Sequence, residues 1–177
     1  MRRQMQRIRR SFLSGFTRTN YCDKIMLYHA ERSDFMSQIF RDIIEIARCG
    51  VQYRGDRLAP MELKSCHASY LTEICACPGI SQDGLARKIY INKSNVARQA
   101  AVLEEEGFIL RIPSTSDKRV MELYPTQKAL DLLPQIQDIL HCWENTITKD
   151  LTDAEMELLS SLLTRMKQRS ATYMEDR

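Results

Sequence analysis

Residues 93–98 read Lys-Ser-Asn-Val-Ala-Arg. Small, polar and basic side chains grouped in this way can reach the base edges and phosphates of a nucleic acid. Their spacing decides which of them are free to do so. Val96, Ala100 and Leu103 recur at intervals of four and three, the buried stripe of a helix. Lys93, Ser94, Asn95, Ala97, Arg98 and Ala101 then point away from the core. Asn92 is placed to cap this helix and Gly107 to end it, which predicts a span of 93–106. Glu104, Glu105 and Glu106 crowd the far end, where phosphate would repel them. The helix therefore has a nucleic-acid end and an opposite end.

A second basic group follows. The runs Phe108–Pro113 and Val120–Tyr124 are β-like, and the polar link Ser114–Arg119 between them predicts a hairpin. Arg111, Lys118 and Arg119 are candidates to contact phosphate or enter a minor groove. Asp117 either pairs with Arg119 in a solvated loop or positions it. On the N-terminal side, Pro78-Gly79 breaks the chain, and Ser81 caps a short helix over 82–89 that buries Leu85, Ala86 and Ile89. Gly84 sits inside that helix at a cost of up to about 1 kcal/mol, to be explained by close packing. Two short helices about a tight break, then a hairpin, is the layout of a winged helix-turn-helix.

The elements that must carry this unit are helical. Met36, Phe40, Ile43 and Ala47 stripe a first helix over 33–53, with Ser33 as N-cap, Gly50 and Gly55 about its fraying end, and a loop from Arg54 to Met61. A second helix over 64–76 turns Cys66, Tyr70, Leu71 and Ile74 inward. Thr126 caps a fifth helix whose Leu133, Ile136, Leu140, Trp143 and Ile147 form a heptad-like seam, kinked near Pro134. Thr152-Asp153-Ala154-Glu155 is a capping box for a sixth, striped by Met156, Leu159, Leu162 or Leu163, and Met166. This is more apolar surface than one small domain buries, and it points to an oligomer interface. The expected fold class is mainly α with a small β-hairpin wing. It divides into a basic, flexible arm (1–20), a first dimerisation helix and loop (21–62), the winged helix-turn-helix (63–125) and C-terminal dimerisation helices (126–177).

Composition narrows the function classes. Of 177 residues, 44% are hydrophobic, enough for a core. No apolar run reaches the roughly 18 residues of a membrane span, and no secretory segment is present, so a cytoplasmic location is expected. Net charge is +3 from 26 basic and 23 acidic residues. Six of the basic groups (Arg2, Arg3, Arg7, Arg9, Arg10 and Arg18) lie in the first 20 residues, which hold no acid. The remaining body is net negative, so nucleic-acid binding must rely on local basic surface. The Arg-rich start reads as an arm along DNA phosphate, a transit peptide, or a poorly ordered tail ahead of a later start at Met26. The six cysteines read as reduced thiols, and Cys75-Ala76-Cys77 lacks the Cys-x-x-Cys spacing of zinc or redox sites. His29, His67 and His141 show no metal-ligand spacing. With no nucleophile–base pair and no phosphate loop, an enzyme is not expected, and neither is a cofactor or a metal.

Over residues 35–169 the chain resembles transcription factors of the multiple-antibiotic-resistance regulator (MarR) family. The resemblance is carried by Pro78-Gly79-Ile80-Ser81-Gln82, Leu85-Ala86, Asn92 to Arg98, Leu103 to Ile109, Arg111, Asp117-Lys118-Arg119, Pro125-Thr126, Leu151-Thr152 and Glu155. It implies a homodimer built on the first, fifth and sixth helices, binding double-stranded DNA at a pseudo-palindromic operator. Ser94, Asn95 and Arg98 would face bases, Lys93 phosphate, and Arg119 the flanking minor groove. Members usually repress, and a small ligand or an oxidant alters the spacing of the two reading heads. A phenolic or other aromatic effector is the expected signal, in a pocket lined by Tyr53, His67 and Tyr70; core packing explains the same three residues. Cys22 lies near the place where some relatives carry a reactive thiol, but its surroundings differ, and the His-rich set of zinc-sensing relatives is missing. Two other readings stand beside a ligand-responsive regulator: a thiol-based redox regulator, and a winged-helix protein-interaction module without specific DNA binding.

Overall fold

A computed structural model describes the backbone of residues 21–175 and the side chains of 38–173. The arm at 1–20 and the Cys22 side chain lie outside these limits. The chain divides into two units, 1–49 and 50–177. The element order is α1 (Tyr21–Leu58), a 3-10 turn (Ala59–Met61), α2 (His67–Ala76), β1 (Ile80–Ser81), α3 (Gln82–Lys88), α4 (Lys93–Glu105), β2 (Ile109–Pro113), β3 (Met121–Pro125), α5 (Gln127–Thr148) and α6 (Asp153–Glu175). The fold is mainly α with a small antiparallel sheet, as expected. No described helix is long and apolar enough to cross a membrane.

Several boundaries differ from expectation. Helix α1 begins at Tyr21 and runs to Leu58, so Ser33 lies within it and is not its N-cap. Arg54 to Leu58 is helical rather than loop. Pro60 restricts only the residue before it, and it fits the first positions of the 3-10 turn, where no backbone N–H is needed. Neither Gly50 nor Gly55 ends the helix. A Cβ on Gly50 would lie 3.1 Å from the Trp143 indole nitrogen, so this glycine makes room for that ring. Helix α2 starts at His67, not 64, because the His67 ring accepts the Lys64 N–H (3.3 Å) and shapes a turn there.

The core of the second unit joins Leu58, Leu63, Tyr70, Leu71 and Ile74 to Leu85, Val96, Ala100, Leu103, Phe108, Ile109, Leu123 and Ile136. Fully burying each large apolar side chain contributes about 1.5–3 kcal/mol. Cys66, expected inward, is half-buried. The sheet order is β1-β3-β2, with Ile80 opposite Leu123 and Arg111 also opposite Leu123. The two-residue strand β1 was not expected, being too short to show alternation. Pro134 sits inside α5 without ending it. The capping box of α6 forms as read: Glu155 accepts from the Thr152 amide and hydroxyl, both at 2.8 Å. Those bonds hold its carboxyl below the usual range.

Candidate nucleic-acid interface

The buried side of α4 carries Val96, Ala100 and Leu103, all fully buried. Their phase turns Lys93, Ser94 and Arg98 outward, with Asn95 and Ala97 half-exposed beside them. The cap organises the end of this face. The Asn92 side-chain oxygen accepts the Asn95 amide (2.8 Å) and the Ser94 hydroxyl (3.0 Å). The Asn95 side-chain oxygen accepts from the Arg98 guanidinium at 3.0 Å. Asn92, Ser94, Asn95 and Arg98 thus form one hydrogen-bonded surface over the first turns of the helix. Lys93 pairs with Asp83 of α3, and both side chains are well exposed. An exposed pair of this kind is worth little, so Lys93 can exchange partners at small cost.

Ser81 caps α3 by accepting the Gly84 amide at 3.0 Å. That accounts for Gly84. A Cβ there would stand 3.1 Å from the Ser81 hydroxyl oxygen and 3.2 Å from Ile80 Cγ1, so the capped turn leaves no room for one.

The wing is β2, β3 and their connection. The Ser114 amide donates to Val120 O (2.8 Å) and the Val120 amide to Asp117 O (2.9 Å). The Asp117 carboxylate accepts the backbone N–H of Arg119 (2.9 Å), and the Lys118 and Arg119 side chains are exposed. Asp117 therefore shapes the turn that presents Arg119. Arg111 is placed differently from the other basic residues. Its Nε donates to Glu104 Oε2 at 2.7 Å, its Nη2 lies 2.6 Å from the same oxygen, and its amide donates to Glu104 Oε1. It clamps the wing to the far end of α4, and its guanidinium is engaged by a carboxylate, whereas Arg98 bonds only the neutral Asn95 side chain and Arg119 stands exposed. Lys128, unnoticed in the sequence, donates to Glu106 O (2.8 Å) and lies over the Phe108 ring. Thr126 Oγ1 donates to Gly107 O and Phe108 O. The start of α5 thereby satisfies the carbonyls of the turn that follows α4, Glu106 to Phe108.

The three candidate pocket residues have separate surroundings. The Tyr53 ring lies 5.2 Å from Trp143 of α5, with the Arg57 guanidinium 4.7 Å from its centroid. His67 is fully buried; its Nε2 lies 3.1 Å from Gln99 Oε1 of α4, which places the proton on Nε2 because Nδ1 accepts from Lys64. Burial pushes its pKa down. Tyr70 is fully buried in the core, its hydroxyl without a hydrogen-bond partner, and burial pushes its pKa up.

A family model described as "MarR family" matches residues 66–121, the span from α2 to the start of β3. An uncharacterised HTH-type transcriptional regulator of Bacillus subtilis (strain 168), YybA, is 30% identical over 132 residues, 75% of this chain and 88% of that protein. The chain belongs to the MarR family. Members are transcriptional regulators and not enzymes. The crystal structure of the transcriptional regulator SlyA is 28% identical with a TM-score of 0.75, covering 77% of this chain and 96% of SlyA. A putative MarR-family regulator from Listeria monocytogenes, solved with a 26mer DNA, is also 28% identical, with a TM-score of 0.72, covering 75% of this chain and 89% of its own. MarR-family membership agrees with the order of elements from α2 to β3, where the chemistry-bearing residues lie.

Proposed function

We propose that this MarR-family regulator is a homodimeric, sequence-specific DNA-binding repressor whose affinity for a pseudo-palindromic operator is lowered by a small aromatic effector. The observation that carries the reading is the hydrogen-bonded face of α4, with Ser94, Asn95 and Arg98 presented together at the end away from Glu104 to Glu106. In this reading these three face base edges, Lys93 faces phosphate, and Lys118 and Arg119 of the wing reach the flanking backbone. The Listeria neighbour solved with DNA supports it.

Dimerisation is supported by unburied apolar side chains on each terminal helix. Phe40, Ile44 and Ile46 of α1 are exposed, as are Leu158, Leu159, Leu162, Leu163 and Met166 of α6. Runs of this kind are unusual on a monomer. The effector reading rests on Tyr53, whose ring is flanked by Trp143 and the Arg57 guanidinium, a setting suited to an aromatic acid. The bonds from Thr126 and Lys128 to the turn that follows α4 offer a route by which movement of α5 would shift the reading helix.

Selection of bound duplexes from a random pool tests the reading. A site with two dyad-related half-sites about one helical turn apart is expected. Failure to enrich any sequence, or enrichment of an asymmetric single site, contradicts it.

A further inference from the structure

His67 is fully buried at the start of α2 and uses its two ring nitrogens differently. Nδ1 accepts the Lys64 amide, three residues back, and closes the turn before α2. Nε2 lies 3.1 Å from Gln99 Oε1 of α4, 32 residues on. The local turn does not require this second bond, which ties one helix to another. The first bond prepares it. With Nδ1 an acceptor, the neutral ring carries its proton on Nε2, the donor that Gln99 Oε1 needs. Burial favours that neutral ring. The Cys66 thiol stands 3.9 Å from the same oxygen, a weak second donor.

Gln99 is half-buried on the flank of α4, beside the buried stripe of Val96, Ala100 and Leu103. Asn95, which holds the Arg98 guanidinium, lies one turn before it on the same flank. Apolar packing of the stripe is non-directional, whereas a hydrogen bond is directional. A roll of the helix by about 10° moves atoms about 5 Å from its axis by about 1 Å. That is enough to take a base contact out of hydrogen-bonding range.

We propose that His67 is a positioning residue for DNA readout: its bond to Gln99 sets the roll of α4, and with it the aim of Ser94, Asn95 and Arg98 at base edges. The inference rests on the DNA-binding reading above. His67 itself touches no DNA. Phosphate contacts tolerate a small roll, because phosphate oxygens are alike at every base pair and the basic side chains that meet them are long. The loss on breaking the bond therefore falls on the selected sequence. Binding to other sequences and the salt slope stay as they are.

The test compares affinity for a duplex selected from a random pool by the wild-type protein with affinity for a scrambled duplex of the same composition. Gln99→Met removes the acceptor and keeps the side-chain length. It is expected to lower the ratio of the two affinities by about three- to tenfold, a part of what losing a base contact outright costs. The scrambled duplex should bind as it does to the wild type. His67→Leu removes the donor and should lower the ratio by the same factor. The double variant should lose no more than either single, because both remove one bond. His67→Gln, whose amide can donate from near the place of Nε2, should recover most of the ratio. If His67→Leu does not fold, Gln99→Met and His67→Gln still decide. A wild-type ratio for Gln99→Met overturns the proposal, as does a His67→Gln ratio no better than that of Gln99→Met. Equal losses on both duplexes also overturn it, since they mark a merely structural role, and so do additive losses in the double variant. Arg98→Ala serves as the control. If it lowers the ratio while Gln99→Met keeps it, the positioning role fails and the DNA-binding reading stands. If the wild type selects no duplex at all, the underlying reading has failed, and this inference with it.

Discussion

Glu104 and Arg111 join α4 to the wing through one carboxylate. Oε2 receives Nε at 2.7 Å and Oε1 receives the Arg111 amide at 3.1 Å. The hydrogen bonds from Arg111 hold the Glu104 carboxyl below its usual range. The contribution to stability is therefore present above the ordinary glutamate range and is lost as pH falls through the lowered folded-state value. Glu104→Gln is expected to destabilise the protein by about 1 kcal/mol at neutral pH, the pair being partly solvated, and to flatten the acid limb of stability against pH. Urea unfolding of both proteins between pH 3 and 7 measures this. Parallel curves would mean that the pair is energetically idle.

His67 gives a second pH dependence, in a different window. The ring is buried neutral, with Nδ1 accepting from Lys64 and Nε2 facing Gln99. Its pKa is lowered by burial, so the unfolded chain takes up a proton first, near pH 6.5. Stability is full above that value and declines as pH falls below it, until the folded form also protonates. Protonated Nδ1 would also oppose the Lys64 N–H. Between pH 7.5 and 5.5 the wild type should lose more stability than His67→Gln, and chemical denaturation at the two values reads the difference. An equal loss in both proteins would remove His67 as the cause.

Two helical glycines should respond oppositely to alanine. Gly55 has nothing within 4 Å of a built Cβ, and Gly55→Ala is expected to stabilise by about 0.5–1 kcal/mol. At Gly84 the Ser81 oxygen and Ile80 Cγ1 stand at 3.1 and 3.2 Å, and the Ser81 cap bond fixes the first of them. Gly84→Ala should forfeit the propensity gain and destabilise by about 0.5–1 kcal/mol, through strain or loss of the cap. Thermal melts of the two variants decide it, and a higher midpoint for Gly84→Ala would refute the packing account.

The parts of the interface legible in the sequence were those fixed by local chemistry. The phase of Val96, Ala100 and Leu103 turned Arg98 outward, and Asn92, Ser81 and Thr152 with Glu155 marked helix ends that form as read. What escaped was set by distant partners. Arg111 looked as free as Arg119 until β2 brought it against Glu104, seven residues back. Strand β1 exists only because β3 pairs with it. Gly50 read as a helix end because nothing local announced Trp143. The left-handed backbone of Tyr90, which closes α3 as the Ile91 amide donates to Ala86 O, is likewise not written in residue type.

The central claim is that the outward face of α4 reads bases, and Arg98 tests it most directly. Its guanidinium is held by the Asn95 side chain at 3.0 Å, on the face away from Val96 and Ala100. Arg119→Ala provides the comparison, since a phosphate contact should weaken all sequences alike and lower the salt slope by about one. The decisive measurement is the affinity of Arg98→Ala for the selected duplex and for each of its single-base variants. The account predicts a loss of about 1–3 kcal/mol on the selected duplex and relaxed preference at one base position per half-site. Unchanged affinity with unchanged preference at every position would contradict it.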